Sequence, residues 1–467
     1  MSAQWMEFWN AQAVRRAIIW AALTFALFVA ALLARRSRAR EAHKRGARIL
    51  DGRKVQRSTA RVRLLRPESP LTIAGVAIAP GDEVKHFKLI GTTGTGKSTA
   101  IRELLAGALH RGDRAVITDP DGGYLERFYD PGRGDIILNP FDTRSVQWDP
   151  FAEIREPYDA EHLASSLIPT TDDASGREWR GYARTFLAAV VRRCHEIGRQ
   201  NAAELWRLIA MASSAELRPL VANTPAQPFL EPENARMFGS IRSVAGSAAA
   251  ALEHVQSQRA RTFSVRDWTG SGRGALFLPY QASQIAALRT VIATWVRLAI
   301  FETMRDEGGD RRLWLIVDEL DALGAIDGLK DALARLRKFG GRCVLGFQSV
   351  AQVSSTYGMG EAQTVVENCA NTLILRCSAS EHGGTSQFAS RLIGEREVAR
   401  RSTSRGRDGS GFPGGRGWRR STNISEQRVT EAAVLASELE QLPDLTGYLK
   451  TASSPVWLKV RLPRESH

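Results

Sequence analysis

The segment Gly91–Ser98, GTTGTGKS, lies between a short apolar run and a helical pattern. Its three glycines allow a tight turn that brings successive backbone N–H groups close to phosphate oxygens. Lys97 supplies a point charge for β- and γ-phosphates, and the Ser98 hydroxyl suits Mg²⁺. Such a loop needs a strand before it and a helix after it, so the motif predicts an α/β sheet that binds a nucleoside triphosphate. A Gly/Thr-rich turn that matches by chance is the weaker alternative.

The helix predicted from Thr99 to Ala108 adds the positive end of its dipole to the same anion site. The loop and the start of this helix together define the expected nucleotide contacts. These are Gly91, Thr92, Thr93, Gly94, Thr95, Gly96, Lys97, Ser98 and Thr99.

A second motif, RLWLIVDE at Arg312–Glu319, is an apolar strand that ends in two carboxylates. It is typical of a Walker B strand, in which Asp318 holds Mg²⁺ and Glu319 orients and deprotonates the attacking water. Two consecutive acids are also common at the start of a helix, so the pattern alone does not indicate catalysis. The catalytic interpretation is favoured because the same chain contains the phosphate loop. Lys97 and Asp318 are 221 residues apart, which a single βαβ unit cannot fill and an inserted domain explains.

Polar residues follow two further apolar strands. Gln348 comes directly after RCVLGF at Arg342–Phe347, where it is placed to touch a γ-phosphate or the lytic water, although a loop amide satisfied by its neighbours is the alternative. Arg376 lies near the end of the strand Asn371–Cys377 and is a candidate for a catalytic arginine that reaches a neighbouring subunit, or else an ordinary surface arginine. The chain contains no guanine-reading N-K-x-D motif, which favours ATP.

The segments of the chain differ in amino-acid composition and in hydrophobic periodicity. The predicted divisions are a short N-terminal segment 1–16, a transmembrane helix 17–34, a basic juxtamembrane linker 35–66, a first part of the nucleotide-binding domain 67–148, an all-α insertion 149–260, and a second part of the nucleotide-binding domain 261–467 with a mobile Arg/Gly-rich loop 400–420.

Residues 17–34, AIIWAALTFALFVAALLA, contain Thr24 as their only polar side chain. A helix of this length covers about 27 Å, close to the hydrocarbon thickness of a bilayer. A cleaved signal peptide is less favoured because no small-residue cleavage site precedes the basic segment. Two arginines precede the run and thirteen Lys/Arg residues follow it within 35–66, so the positive-inside rule predicts a single inner-membrane span with a large cytoplasmic part.

The formal net charge of +14 is concentrated in two places. Residues 35–66 carry +11 and residues 400–420 carry +6, so the remainder is close to −3. The charge therefore does not indicate DNA binding by the body of the protein. The first block is interpreted as a contact with lipid headgroups, and the second as a solvated loop whose arginines could also neutralise nucleic acid. The four cysteines lack metal-ligand spacing and are predicted to be buried thiols.

The order of motifs resembles that of the type IV secretion coupling proteins, the VirD4, TraD and TrwB family, which are relatives of the FtsK and HerA DNA pumps. The resembling pieces are HFKLIGTTGTGKST, ITDPDGG, FSVRDW, LIVDEL, LGFQS, ANTLILRC and LPDLTGYL. The resemblance implies a RecA-like P-loop NTPase sheet with an inserted all-α domain. It also implies an inner-membrane ATPase using ATP and Mg²⁺ that assembles as a homohexamer around a DNA channel, with a relaxase and secretion-system components as partners.

Several features depart from the family pattern. One span is found where two are usual, Asp121 stands where many members have lysine, and the chain ends without a long acidic tail. Two alternatives to a conjugative DNA translocase stay open: a membrane docking receptor in which nucleotide only sets conformation, and an FtsK-like pump for double-stranded DNA.

Overall fold

The computed structural model describes residue 20 and residues 41–65, 70–170, 174–305, 312–379, 384–408 and 419–464. These residues form two compact units. As far as they are described, residues 41–48 and 393–434 belong to the first unit, and residues 49–392 and 435–464 to the second.

The strands are numbered in chain order. They are β1 (Glu41–Gly46), β2 (Ile49–Asp51), β3 (Thr72–Ile73), β4 (Val76–Ala77), β5 (Phe87–Ile90), β6 (Arg114–Pro120), β7 (Ile136–Ile137), β8 (Gln147–Trp148), β9 (Thr262–Phe263), β10 (Ala275–Tyr280), β11 (Leu313–Val317), β12 (Gly341–Phe347), β13 (Asn371–Ile374), β14 (Glu395–Asp408), β15 (Arg419–Ala432), β16 (Thr446–Lys450) and β17 (Trp457–Arg461).

The α-helices are numbered in the same way. They are α1 (Arg53–Leu65), α2 (Pro80–Glu83), α3 (Lys97–His110), α4 (Gly123–Phe128), α5 (Asp159–Leu167), α6 (Ala174–Glu196), α7 (Ala202–Ala210), α8 (Ser214–Val221), α9 (Ala235–Ala249), α10 (Ala251–Gln256), α11 (Val265–Ser271), α12 (Ile285–Thr303), α13 (Leu329–Leu336), α14 (Val350–Tyr357), α15 (Met359–Asn368), α16 (Gly384–Ile393) and α17 (Ala436–Glu440).

The second unit is built on one large mixed sheet. Among the described residues its strand order is β2-β17-β16-β13-β5-β12-β11-β6-β10-β7. The run from β13 to β7 is parallel throughout, and β16 pairs antiparallel with β13. Every residue of β5, β11 and β12 is buried. A parallel strand covered on both faces is mostly apolar, and these segments show that pattern, with Lys88 in β5 and Arg342 in β12 as their charged residues.

A helical segment lies between β8 and β9. In the described residues from 159 to 256, all regular secondary structure is α- or 3₁₀-helix. Its core includes Phe186 of α6 and Phe238 of α9, whose rings pack edge to face at 5.2 Å. This insertion separates β7 from β10, so two neighbouring strands of the sheet are far apart in sequence.

The first unit contains a three-stranded sheet, β1-β14-β15, in which every pairing is antiparallel. Two expectations differ from the structure. Residues 400–408 and 419–420 of the predicted loop are strand. The described part of the predicted linker, residues 41–65, contains β1 of this sheet and also β2 and α1 of the second unit. Arginines in the paired strands face glutamates across the sheet: Arg396 contacts Glu431 at 2.8 Å, and Arg45 contacts Glu397. A Gly/Ser/Arg composition and a run of like charges are typical of loops and linkers, and neither pattern reveals which distant segments a strand will pair with.

The predicted membrane helix 17–34 falls outside the described residues, apart from Trp20. Within the described parts of the chain, no helix has the length and apolarity needed to cross a bilayer. The four cysteines are buried and form no disulfide, as predicted.

Candidate nucleotide-binding site

The phosphate loop connects β5 to α3 at the carboxyl edge of the central sheet. Gly94 and Gly96 have φ of 76° and 116°, in the left-handed region that favours glycine. A Cβ at Gly91 would lie 2.8 Å from Leu375 Cβ, so the loop is closely packed against the segment that follows β13. The glycine spacing thus reflects both backbone conformation and close approach. The N-terminus of the fourteen-residue helix α3 faces the same loop.

Lys97 is 6 % exposed, and its ammonium group lies inside the loop. Nζ donates to the Gly91 carbonyl at 2.7 Å and to the Thr92 carbonyl at 3.3 Å. Burial lowers the pKa of Lys97 below its ordinary value of 10.5, against the opposing effect of the Asp318 and Glu319 charges. The lysine is therefore held by carbonyl dipoles where the loop would enclose a phosphate.

Ser98 and Asp318 meet at the magnesium position predicted from the motifs. Ser98 Oγ donates to Asp318 Oδ2 at 2.9 Å, although the residues are 220 positions apart. Asp318 is 2 % exposed, and among the described residues nothing donates a hydrogen bond to its buried Oδ1. A buried carboxylate oxygen without a partner beside a hydroxyl is an arrangement that fits Mg²⁺, which prefers oxygen ligands.

Gln348 links the phosphate loop to the second acid of the pair. Its Nε2 donates to Glu319 Oε1 at 3.1 Å, and its Oε1 accepts from Thr93 Oγ1 at 3.0 Å. The strand order explains the link, because β12, which precedes Gln348, lies between β5 and β11 in the sheet. The three side chains thus converge from the carboxyl ends of three adjacent strands.

Glu319 has an unusual backbone and an altered acidity. Its φ of 61° is in the left-handed region, which is uncommon for a residue with a side chain and is often found at functional sites. Burial raises the pKa of Glu319 above its ordinary 4.5, and the neighbouring Asp318 charge raises it further, while the hydrogen bond from Gln348 lowers it. A carboxylate with raised basicity is suited to accept a proton from water.

Arg376 contacts the phosphate loop through its backbone. Its carbonyl accepts from Thr92 N at 2.9 Å. Its guanidinium contacts Asp444 at 2.7 Å in the same chain and is about one third exposed. The structure therefore places Arg376 beside the loop, and its predicted action on a neighbouring subunit stays a prediction.

Two tyrosines beside the acids were not predicted from the sequence. The hydroxyl of Tyr124, at the start of α4, donates to Asp318 Oδ2 at 2.8 Å, and burial followed by the Asp318 charge raises its pKa well above 10.0. Tyr280 ends β10, and within the described residues its buried hydroxyl has no hydrogen-bond partner. The turn before Tyr124 contains Asp121, which departs from the family pattern, but this departure does not indicate an aromatic contact three positions later.

Asp119, at the end of β6, holds Tyr124 in place. Its carboxylate accepts backbone N–H groups from Tyr124 at 3.0 Å and Leu125 at 2.6 Å. Burial raises the pKa of Asp119 to about 6, with the two backbone hydrogen bonds acting in the opposite direction. Asp119 thus accepts hydrogen bonds from the first turn of α4, as a capping residue does. Its position at the end of a strand is compatible with this role but does not predict it.

The chain is similar to a known protein family over most of its length. A family model described as the type IV secretion-system coupling protein DNA-binding domain matches residues 70–463. The chain belongs to this coupling-protein family. The coupling protein TraD of Escherichia coli (strain K12) is 31% identical over 396 residues, which cover 82% of this chain and 53% of TraD. This coupling protein therefore spans about half the length of the curated relative that it matches.

Solved structures of the conjugative coupling protein TrwB have the same fold. The unbound monoclinic form of TrwBdeltaN70 superposes on this coupling protein with a TM-score of 0.79 and 34% identity, covering 91% of this chain and 94% of TrwBdeltaN70. TrwB in complex with the non-hydrolysable ATP analogue ADPNP, and TrwB with ADP and Mg²⁺, each give a TM-score of 0.78 and 33% identity over 91% of this chain and 95% of TrwB. TrwB thus binds nucleotide and magnesium on a fold shared with this coupling protein.

Proposed function

We propose that this coupling protein is an ATP-hydrolysing DNA translocase that delivers relaxase-bound DNA to a type IV secretion channel during conjugation. The observation that carries the proposal is the chain of hydrogen bonds from Thr93 through Gln348 to Glu319. A site that only bound nucleotide would not need the loop to be joined to a half-buried carboxylate whose pKa is raised. The ADPNP and magnesium complexes of TrwB support triphosphate binding at the corresponding fold.

Each group has a role that follows from its chemistry. Lys97 and the amides of the loop bind the phosphates, and Ser98 with Asp318 holds Mg²⁺, which when bound neutralises charge on the transferred phosphoryl group. Glu319 orients the attacking water and accepts its proton. Gln348 contacts the γ-phosphate and, through its hydrogen bond to Glu319, couples the presence of that phosphate to the position of the acid. The preference for ATP over GTP rests on the sequence, which lacks a guanine-reading N-K-x-D motif. The TrwB structures do not distinguish the two bases, because TrwB has been solved with the GTP analogue GDPNP as well as with ADPNP.

The remaining parts of the proposal concern assembly and location. Residues 17–34 anchor the chain in the bacterial inner membrane, residues 35–66 contact anionic lipid headgroups, and the body assembles as a homohexamer around DNA. Contacts to DNA are made mainly to the phosphate backbone, so sequence preference is low. The relaxase and inner-membrane components of the secretion system are the protein partners. The DNA-binding description of the matching family supports the nucleic-acid part.

The deciding experiment is ATP hydrolysis by the detergent-solubilised full chain, with and without DNA, for wild type, Glu319→Gln and Glu253→Gln. Glu253 is exposed in the helical insertion and provides the matched control. We expect DNA to stimulate wild type and the control, and Glu319→Gln to lose about 100-fold or more in turnover while still binding ATP. Full turnover by Glu319→Gln contradicts the mechanism. Tight ATP binding by wild type without hydrolysis in either condition identifies a docking receptor instead.

A further inference from the structure

The two oxygens of the Asp318 carboxylate have very different surroundings. Oδ2 accepts hydrogen bonds from two hydroxyl groups, Ser98 at 2.9 Å and Tyr124 at 2.8 Å. Oδ1 is buried without a donor among the described residues. It faces the α-carbon of Gly346, where an added Cβ would lie only 2.6 Å away. Two donors on one oxygen fix the plane of the carboxylate, while the other oxygen has no hydrogen bond from a described residue.

Tyr124 is the more rigidly held of the two donor residues. The backbone N–H of Tyr124 donates to the Asp119 carboxylate at 3.0 Å, the guanidinium of Arg102 lies 5.7 Å from the centre of the Tyr124 ring, and Tyr124 is 2 % exposed. Ser98, in contrast, is in the first turn of α3, and its hydroxyl turns about a single bond. Ser98 can therefore direct its oxygen to an ion, whereas the phenol stays directed at Asp318.

We infer that Tyr124 is a positioning residue that orients the Asp318 carboxylate for magnesium binding. The inference rests on the proposed function, because it concerns the magnesium that accompanies the nucleotide. Groups that hydrogen-bond to metal ligands fix their orientation, and their loss weakens metal affinity by about 10- to 100-fold. Arg102 lies on the helix that follows the phosphate loop, so the same ring also connects α3 to the acid.

The test measures magnesium dependence and not only turnover. Binding of methylanthraniloyl-ADP to the detergent-solubilised full chain is followed by fluorescence, first in EDTA and then over a magnesium series. The proteins are wild type, Tyr124→Phe and Tyr129→Phe. Tyr129 follows the same short helix and packs edge to face on Phe277 at 6.2 Å, so it matches Tyr124 in chemistry and location without touching Asp318. We expect Tyr124→Phe to bind nucleotide normally in EDTA and to need about 10- to 100-fold more magnesium for half-saturation.

The possible results have distinct meanings. An unchanged magnesium requirement for Tyr124→Phe overturns the inference and leaves the proposed function standing. An equal loss of nucleotide affinity with and without magnesium, together with a lower melting temperature, also overturns it, because it indicates a structural role. Should Tyr124→Phe fail to fold, Asp119→Asn provides the second variant, and an unchanged magnesium requirement there overturns the inference in the same way. Failure of wild type to bind nucleotide at all contradicts the proposed function itself.

Discussion

The side-chain amide of Gln348 donates to Glu319 Oε1 at 3.1 Å while its carbonyl oxygen accepts from the phosphate loop. An amide is suited to this position because it donates to a carboxylate and accepts from a hydroxyl at the same time. The arrangement joins a loop that senses phosphate to the acid proposed to activate water.

Gln348→Ala should separate nucleotide binding from hydrolysis. The change removes the bridge but leaves Lys97 and Ser98 intact, so we expect kcat to fall about 100-fold, as when one transition-state donor is lost, with little change in KM. Steady-state hydrolysis and nucleotide binding measure the two effects. Gln352→Ala, an exposed glutamine four residues later, is the control and should behave as wild type. A rise in KM with normal kcat would contradict the assignment.

The pH dependence of hydrolysis should report Glu319. Its pKa lies above 4.5 because of burial and then because of the Asp318 charge, and the base is active only when ionised. A raised pKa extends the protonated, inactive form to higher pH, so the acidic limb of kcat/KM, which reports the free enzyme, should lie above pH 4.5. Gln348→Ala removes a hydrogen bond that lowers this pKa, and should move the limb further toward neutral pH. A limb at or below the ordinary glutamate value in wild type would be inconsistent with this.

Gly346→Ala should displace the magnesium carboxylate without affecting the phosphate loop. The added Cβ would lie 2.6 Å from Asp318 Oδ1, so the carboxylate or the strand must move. Overpacking of this kind costs about 1–3 kcal/mol, and we expect weaker magnesium-dependent binding with normal binding in EDTA. Gly360→Ala is the control, since a Cβ there meets nothing within 4 Å. Unchanged magnesium dependence in Gly346→Ala would show that Oδ1 has no part in the site.

Arg376→Ala and Asp444→Ala should differ in hydrolysis. Both remove the ion pair of 2.7 Å, and an exposed pair of this kind contributes about 1 kcal/mol or less to stability. Only Arg376→Ala removes the cation, so we expect its turnover to fall on the order of 1000-fold in the assembled protein, with Asp444→Ala near wild type. Hydrolysis assays and melting curves compare the variants. Equal turnover in both would make Arg376 a structural residue.

The α/β fold around a phosphate loop was predicted from the sequence and is confirmed. Buried parallel strands need continuous apolar runs, and the loop needs glycines at fixed spacing, so both leave a local record in the chain. Gly91–Ser98, the acid pair after β11 and Gln348 after β12 could therefore be located from their neighbours in sequence. Their catalytic roles stay predictions that the experiments above test.

Other features left no local record. The arginine-rich segments of β14 and β15 are compatible with a solvated loop until the strands pair, and their register and the ion pair of Arg396 with Glu431 exist only in the paired sheet. Tyr124 has no neighbouring motif that indicates a contact with Asp318, 194 residues away. Such contacts depend on strand order, which local propensity does not specify.

The sequence by itself therefore determined that this protein folds around a nucleoside-triphosphate loop, because the required backbone conformations and apolar strands are encoded within a few residues. Only the tertiary structure decided which side chains meet there. By inserting β12 between β5 and β11 and placing β6 beside β11, the sheet brings Gln348 to Glu319 and Tyr124 to Asp318. Those pairings arise from the packing of distant segments, and a hydrogen bond of 3 Å exists only after that packing is complete.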